Sequence, residues 1–153
     1  MKSKFSWIPA LLAGCLALQV TGFAIAGTPS AEGATVTFGN LSDGDVVPPD
    51  FTVKFTISGM GIAPAGAQIE NTGHFHLLID LPELPALDQP LPVSEHIRHY
   101  GKAQTQDQLN LAEGEHTLQL LLADYAHVPH DPPVMSKVIT IVVARGAQAP
   151  ADS

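Results

Sequence analysis

The chain has 153 residues, 45% hydrophobic, 6% aromatic and 14% charged, which suits one small domain with a real core and argues against wholesale disorder or a long solvated helix. Seven Lys+Arg against fifteen Asp+Glu give a formal charge of -8. An acidic chain without a basic run argues against a nucleic-acid partner, because that affinity comes from neutralising phosphates.

The first 26 residues read as a secretory signal peptide. Lys2 and Lys4 precede an apolar run from Phe5 to Ala26 that Pro9, Gln19 and Thr21-Gly22 interrupt. Two processing readings compete. Ala24-Ile25-Ala26 is a small-x-small cleavage site that would free a chain starting at Gly27; Leu12-Ala13-Gly14-Cys15 resembles a lipobox that would make Cys15 a lipidated first residue. The apolar Leu16-Ala17-Leu18 favours cleavage after Ala26. Either way the expected location is the periplasm or the exterior, with no transmembrane segment in the mature chain. Loss of residues 1–26 leaves 127 residues and five basic against fifteen acidic side chains, a charge of -10. It also removes Cys15 and Trp7, so the mature domain has no disulfide and no thiolate chemistry.

Residues 27–34 are rich in Gly, Ser, Ala and Pro and are expected to be a flexible leader. Thr35–Phe38 predicts a first strand. Ser42-Asp43-Gly44-Asp45 predicts a turn, and Pro48-Pro49 a stop. Phe51–Ser58 alternates Phe51, Val53, Phe55 and Ile57 against Thr52, Lys54, Thr56 and Ser58, a half-buried strand. His74–Asp80 alternates again, Phe75, Leu77 and Ile79 against His74, His76, Leu78 and Asp80. Four prolines between 81 and 95 predict a long connection without a ladder, a kind of loop that tends to be functional or mobile. Thr105–Leu111, His116–Asp124 and Val138–Ala144 are the remaining strands; 125–133 is a second Pro-rich loop, and 145–153 a disordered tail. Residues 35–144 are thus expected to form an all-β domain, an antiparallel immunoglobulin-like β-sandwich of about seven short strands, with a jelly-roll or barrel as the alternative.

All seven histidines fall between positions 74 and 130. His74-Phe75-His76 puts two imidazoles on one strand face with Cα atoms about 6.5–7 Å apart, close enough for both rings to reach one ion. His127-Val128-Pro129-His130 adds two in a loop that proline stiffens. If the strands at 74–80 and 116–124 are antiparallel neighbours, His74, His76, His127 and His130 meet at one end as metal ligands, with Asp124 orienting them. Asp80, His96, His99 and His116 would gather at the other end as a second group, roughly 20 Å away. His116 and Asp124 share the leucine face of their strand, so this second group is expected to be the more buried.

Imidazole and carboxylate without thiolate suit copper or zinc, with nickel as a further candidate; calcium is disfavoured because no Asp-rich loop is present. Each motif has an ordinary reading. A lone His-x-His is more often a solvated strand pair, His96 and His99 alone are loop polar residues, and His116 could simply bond Asp80 or a loop carbonyl. Met60 and Met135 are expected to pack, not to ligate. The expected function is an exported buffer or carrier of copper or zinc, the ion being its partner, in preference to an enzyme. The rivals are an envelope interaction module with structural histidines, a metal-assisted hydrolase or oxidase, and an acid sensor.

The segments Thr72-Gly73-His74-Phe75-His76-Leu77-Leu78-Ile79-Asp80, His99-Tyr100-Gly101-Lys102-Ala103-Gln104-Thr105 and Gly114-Glu115-His116-Thr117-Leu118-Gln119-Leu120, with Asp124-Tyr125-Ala126-His127-Val128-Pro129-His130 and Pro132-Pro133-Val134-Met135-Ser136, carry a resemblance. From Val36 to Val143 the chain resembles an uncharacterised family of small exported bacterial proteins, the domain of unknown function 4399. Members of that family often have Gly-His-His-His where this chain has Phe75. The resemblance therefore implies that His74 and His76 are the working pair. It implies a single exported β-domain with a histidine and aspartate signature, and identifies neither an activity nor a metal.

Overall fold

The computed structural model describes residues 27–150; the signal-peptide reading, with Cys15 and Trp7, lies outside them. Nine strands appear among the described residues: β1 Thr35–Phe38, β2 Val46–Val47, β3 Asp50–Ser58, β4 Gly61–Ile62, β5 Thr72–Ile79, β6 Ile97–His99, β7 Gln106–Asn110, β8 Gly114–Ala123 and β9 Ile139–Val143. They form two sheets, one in the order β1-β3-β7 and the other in the order β2-β9-β8-β5-β4 with β6 also paired to β5. The fold is all-β and sandwich-like. The six longer strands are those expected from the sequence. The other three have only two or three residues each, too short for a periodicity. Two of these, β2 and β4, pair in parallel with β9 and β5, so the larger sheet is mixed and not purely antiparallel.

The core lies between the sheets. Val36, Phe51, Val53, Phe55 and Leu109 of the smaller sheet pack against Phe75, Leu77, Leu118, Leu120, Leu122, Ile141 and Val143 of the larger one. Each set occupies alternate positions, as one buried face of a pleated strand requires. Phe55 contacts the rings of Phe75 and Tyr100 at centroid distances of 5.2 and 4.9 Å.

Strand β5 departs from this rule, because Gly73 to Ile79 is buried on both faces. Its second face, His74, His76 and Leu78, looks away from the core. Residues of the Pro-rich connection and the 125–133 loop cover it, and Leu78, Leu91, Ile97, Leu121 and Ala123 make a second apolar cluster there, flanked by Leu81, Leu87 and Met135. The predicted long connection is thus a cover for the sheet.

The leader is less free than its composition suggests. Ser30 N donates to Asp131 O and Asp131 N to Thr28 O, pinning residues 28–30 along the 125–133 loop. Among the described residues no helix is long and apolar enough to cross a membrane.

Candidate metal centre

The register of β5 and β8 is antiparallel, with His74 opposite Ala123 and Ile79 opposite Leu118. The start of β5 therefore lies beside the end of β8 and the loop that follows. On its other side β5 pairs with β6, His76 facing His99 and Leu78 facing Ile97. Cross-strand partners project to the same side, so His99 joins His74 and His76 on the outer face. This placement corrects the expected grouping, in which His99 belonged with Asp80, His96 and His116. The only trace of β6 in the sequence is the short run Ile97-Arg98-His99-Tyr100 behind four prolines, and nothing in that run specifies its partner.

The fourth ring comes from the loop. The backbone of His127 is left-handed, with φ of 67°. Asp124, 4% exposed, holds that turn: its Oδ1 accepts from Ala126 N at 2.8 Å and Val128 N at 3.0 Å. Its Oδ2 accepts from Thr28 N at 3.3 Å, and its carbonyl accepts from His127 N at 2.9 Å. Asp124 thus orients His127 through the backbone and not through its ring.

Four rings converge. Centroids of His74 lie 4.8, 5.0 and 5.0 Å from those of His76, His99 and His127, and the His99–His127 centroid distance is 4.7 Å. His76 is 5.1 Å from His99 and 6.1 Å from His127. Nε2 of His99 and Nε2 of His127 are 3.1 Å apart. Two nitrogens on one tetrahedral zinc would be about 3.3 Å apart, from a bond length of about 2.05 Å. One ligand nitrogen each from His74, His99 and His127 lies within 4.8 Å of the others, so these three can close on one ion with small side-chain movements, and His76 flanks them.

Burial gives the cluster its character. His74 is 0% and His76 2% exposed. Neither ring nitrogen of His74 has a hydrogen-bond partner, nor has Nδ1 of His76. Buried polar atoms are normally paired, and one left alone costs about 1–3 kcal/mol. Burial first, then the neighbouring His127 and His99, lowers the pKa of His74 from 6.5 to about 4. Burial, then His74, His99 and His127, lowers that of His76 to about 3. His99 is lowered too, by burial and by His127. These rings are neutral at physiological pH, the form that ligates metal. The residues therefore fit a borderline cation such as Cu(II) or Zn(II).

The remaining predicted residues lie elsewhere. His130, 1% exposed, sits on the opposite face of the sheet, over Gly73: a Cβ at that glycine would stand 2.7 Å from its Nε2. Its Nδ1 faces Thr28 Oγ1 at 2.9 Å and Thr28 O at 3.1 Å. His130 thus packs the leader against the sheet, away from the four converging rings. Its Nε2 is also unpartnered, and burial, opposed by Thr28 and Asp124, lowers its pKa.

At the far end of β5, His116 Nδ1 donates to Asp80 Oδ2 at 2.6 Å and its Nε2 faces Ala112 O at 2.9 Å. Asp80 Oδ1 accepts from Thr117 N, and His96 Nδ1 faces Ile79 O at 2.9 Å. These groups tie strand ends and turns together. Contrary to expectation this end is the more open one, Asp80 being exposed and His116 half-buried. Burial alone would lower the pKa of His116, but the bonds to Asp80 and Ala112 and the charge of Asp80 outweigh it and raise it. Met60 packs on the main core and Met135 on the outer cluster, neither among the four rings.

Fold and site together define a class: a small β-sandwich with a cluster of four histidines, two of them buried, on the covered outer face of its larger sheet. The family is more specific. The profile of the domain of unknown function DUF4399 matches residues 53–144, more than half of the chain, and the chain belongs to that family. No curated protein matches the chain, and no solved structure does.

Proposed function

We propose that this chain is an exported protein that binds copper or zinc through His74, His99 and His127, with His76 beside them, and serves as a buffer or carrier in the periplasm. The observation that carries the reading is His74: fully buried, it has two ring nitrogens without partners, aimed among three other imidazoles. Such an arrangement is unfavourable for a fold and becomes favourable once a cation takes the lone pairs. Export rests on the basic and apolar N-terminus alone.

Isothermal titration of the purified protein, free of affinity-tag histidines, with Cu(II) and with Zn(II) tests binding. Micromolar or tighter affinity that His74→Ala abolishes and His99→Ala weakens supports the reading. Millimolar binding unchanged in those variants refutes it. N-terminal sequencing of protein recovered from the cell envelope tests export and separates a start at Gly27 from one at Cys15.

The rival reading is an envelope interaction module in which histidines only hold loops, and it draws support from His96 and His116, bonded to a strand end and a turn, and from His130, bonded to the leader. It expects variants that melt earlier and show no metal dependence.

A further inference from the structure

The two sides of the histidine cluster differ in their access to water. His74 and His76 form a sealed floor, continued by the buried apolar side chains of Leu78, Ile97, Leu121 and Ala123. His99 is exposed and His127 half-buried, and these two form the rim. An ion held between floor and rim can meet another molecule only past the rim.

The two rim residues are not equivalent. The backbone at His127 is tied from several directions: its N donates to Asp124 O, its O accepts from Leu91 N, and the Asp124 carboxylate holds the amides on both sides of it. His99 stands at the end of β6, three residues that pair with β5 alone among the strands. Its ring lies over Gly101, where a Cβ would come within 2.4 Å of Cε1 and 2.6 Å of Nε2. Gly101 does not have a left-handed φ, so this position uses the missing side chain and not the backbone freedom of glycine. Nor can the loop retreat. Tyr100 N donates to Phe75 O, Tyr100 Oη donates to Asp107, and Gly101 O accepts from Ala65 N. A methyl group at 101 would move the ring.

We propose that the ion is handed on through His99: an acceptor protein presenting an imidazole or a thiolate displaces this one ligand, and Gly101 is the positioning residue that seats its ring. The inference rests on the metal-binding reading above and decides for carrier over buffer. In the exchange, one metal–nitrogen bond, to His99, breaks as one bond to the acceptor forms. No electron moves, and a thiol acceptor releases its proton to water. His74, His76 and His127 keep their places until the acceptor supplies further ligands.

The test is stopped-flow mixing of the Zn(II)-loaded protein with excess 4-(2-pyridylazo)resorcinol, a chelator that stands in for the acceptor. Zinc should leave at a rate that rises in proportion to chelator concentration. His99→Ala and Gly101→Ala should each weaken zinc binding roughly 10–100-fold, the usual cost of disturbing a ligand or its support, and speed transfer. The double variant should lose no more than His99→Ala alone, since both changes act on one ring. In the metal-free protein, Gly101→Ala should shift the ring-proton resonances of His127, which touches the displaced imidazole.

Tight binding with release independent of chelator concentration would overturn the handover and leave the metal site standing. A Gly101→Ala protein that binds like the parent, an additive loss in the double variant, or unmoved His127 resonances would overturn the seat. A parent protein that takes up neither zinc nor copper at micromolar concentration would remove both the reading beneath and this inference.

Discussion

Replacing His74 with leucine should make the metal-free domain more stable while removing its affinity for metal. His74 is 0% exposed and neither of its ring nitrogens has a partner. A neutral imidazole carries one donor and one acceptor, and each buried unpaired group costs about 1–3 kcal/mol. Leucine has a similar volume and no polar atom, and its neighbours Leu121 and Ala123 are apolar. Repacking returns part of the gain, leaving a net stabilisation of about 1–3 kcal/mol. For a domain of this size each kcal/mol moves the midpoint by roughly 3–5 °C, so Tm should rise by about 3–15 °C. Urea and thermal unfolding followed by circular dichroism, with a chelator present, measure the change. With zinc at one hundred times Kd the parent should gain about 2.7 kcal/mol and His74→Leu nothing. A His74→Leu protein destabilised by 1 kcal/mol or more without metal would refute the reasoning, because it would show that the ring nitrogens were already satisfied in the metal-free fold.

Four further outcomes are expected. The metal-free protein should lose stability as pH falls: the folded pKa values of His74 and His76, about 4 and about 3, lie below the unfolded 6.5, so their contribution is complete above pH 6.5 and declines below it, by up to about 1.4 kcal/mol per pH unit for each ring. The raised His116 acts oppositely, contributing below pH 6.5 and losing its effect as pH rises through its folded value; a urea midpoint that is flat from pH 7.5 to 4.5 in the parent and unchanged in slope by His74→Leu would contradict the assignment. Asp124→Ala should cost about 2–4 kcal/mol in urea unfolding, since it strands the amides of Ala126, Val128 and Thr28, and should weaken zinc binding by freeing His127. Gly73→Ala should destabilise by about 1–3 kcal/mol in the same assay, its methyl falling 2.6 Å from Ala123 O and 2.7 Å from His130 Nε2. Asp80→Ala should lower Tm by a few degrees, through the lost partners of Thr117 N and His116, and leave the zinc isotherm unchanged.

How much of this was open to a reader of the sequence follows from the range of each interaction. Alternation in 51–58, 74–80 and 116–124 marks buried and outer faces without reference to the rest of the chain, because successive residues of a strand point to opposite sides. The same rule puts His74 and His76 together, while the adjacency of the two central strands is a supposition that their antiparallel register bears out. Strands β2 and β4 could not be read, since two residues carry no period.

By itself, then, the sequence determined an all-β sandwich and the shared face of the His74/His76 pair, because both follow from contacts between near neighbours in a pleated strand. Only the tertiary structure decided the membership and burial of the cluster. His99 enters the cluster because β6 folds back onto β5 and puts it opposite His76, whereas the turn held by Asp124 admits His127 and leaves His130 on the other side of the sheet, over Gly73. The 81–95 connection settles over the outer face, where His74 and His76 are shielded from water. These outcomes depend on how loops close across the sheet, and loop closure joins residues far apart in the chain through contacts that leave no mark in local periodicity.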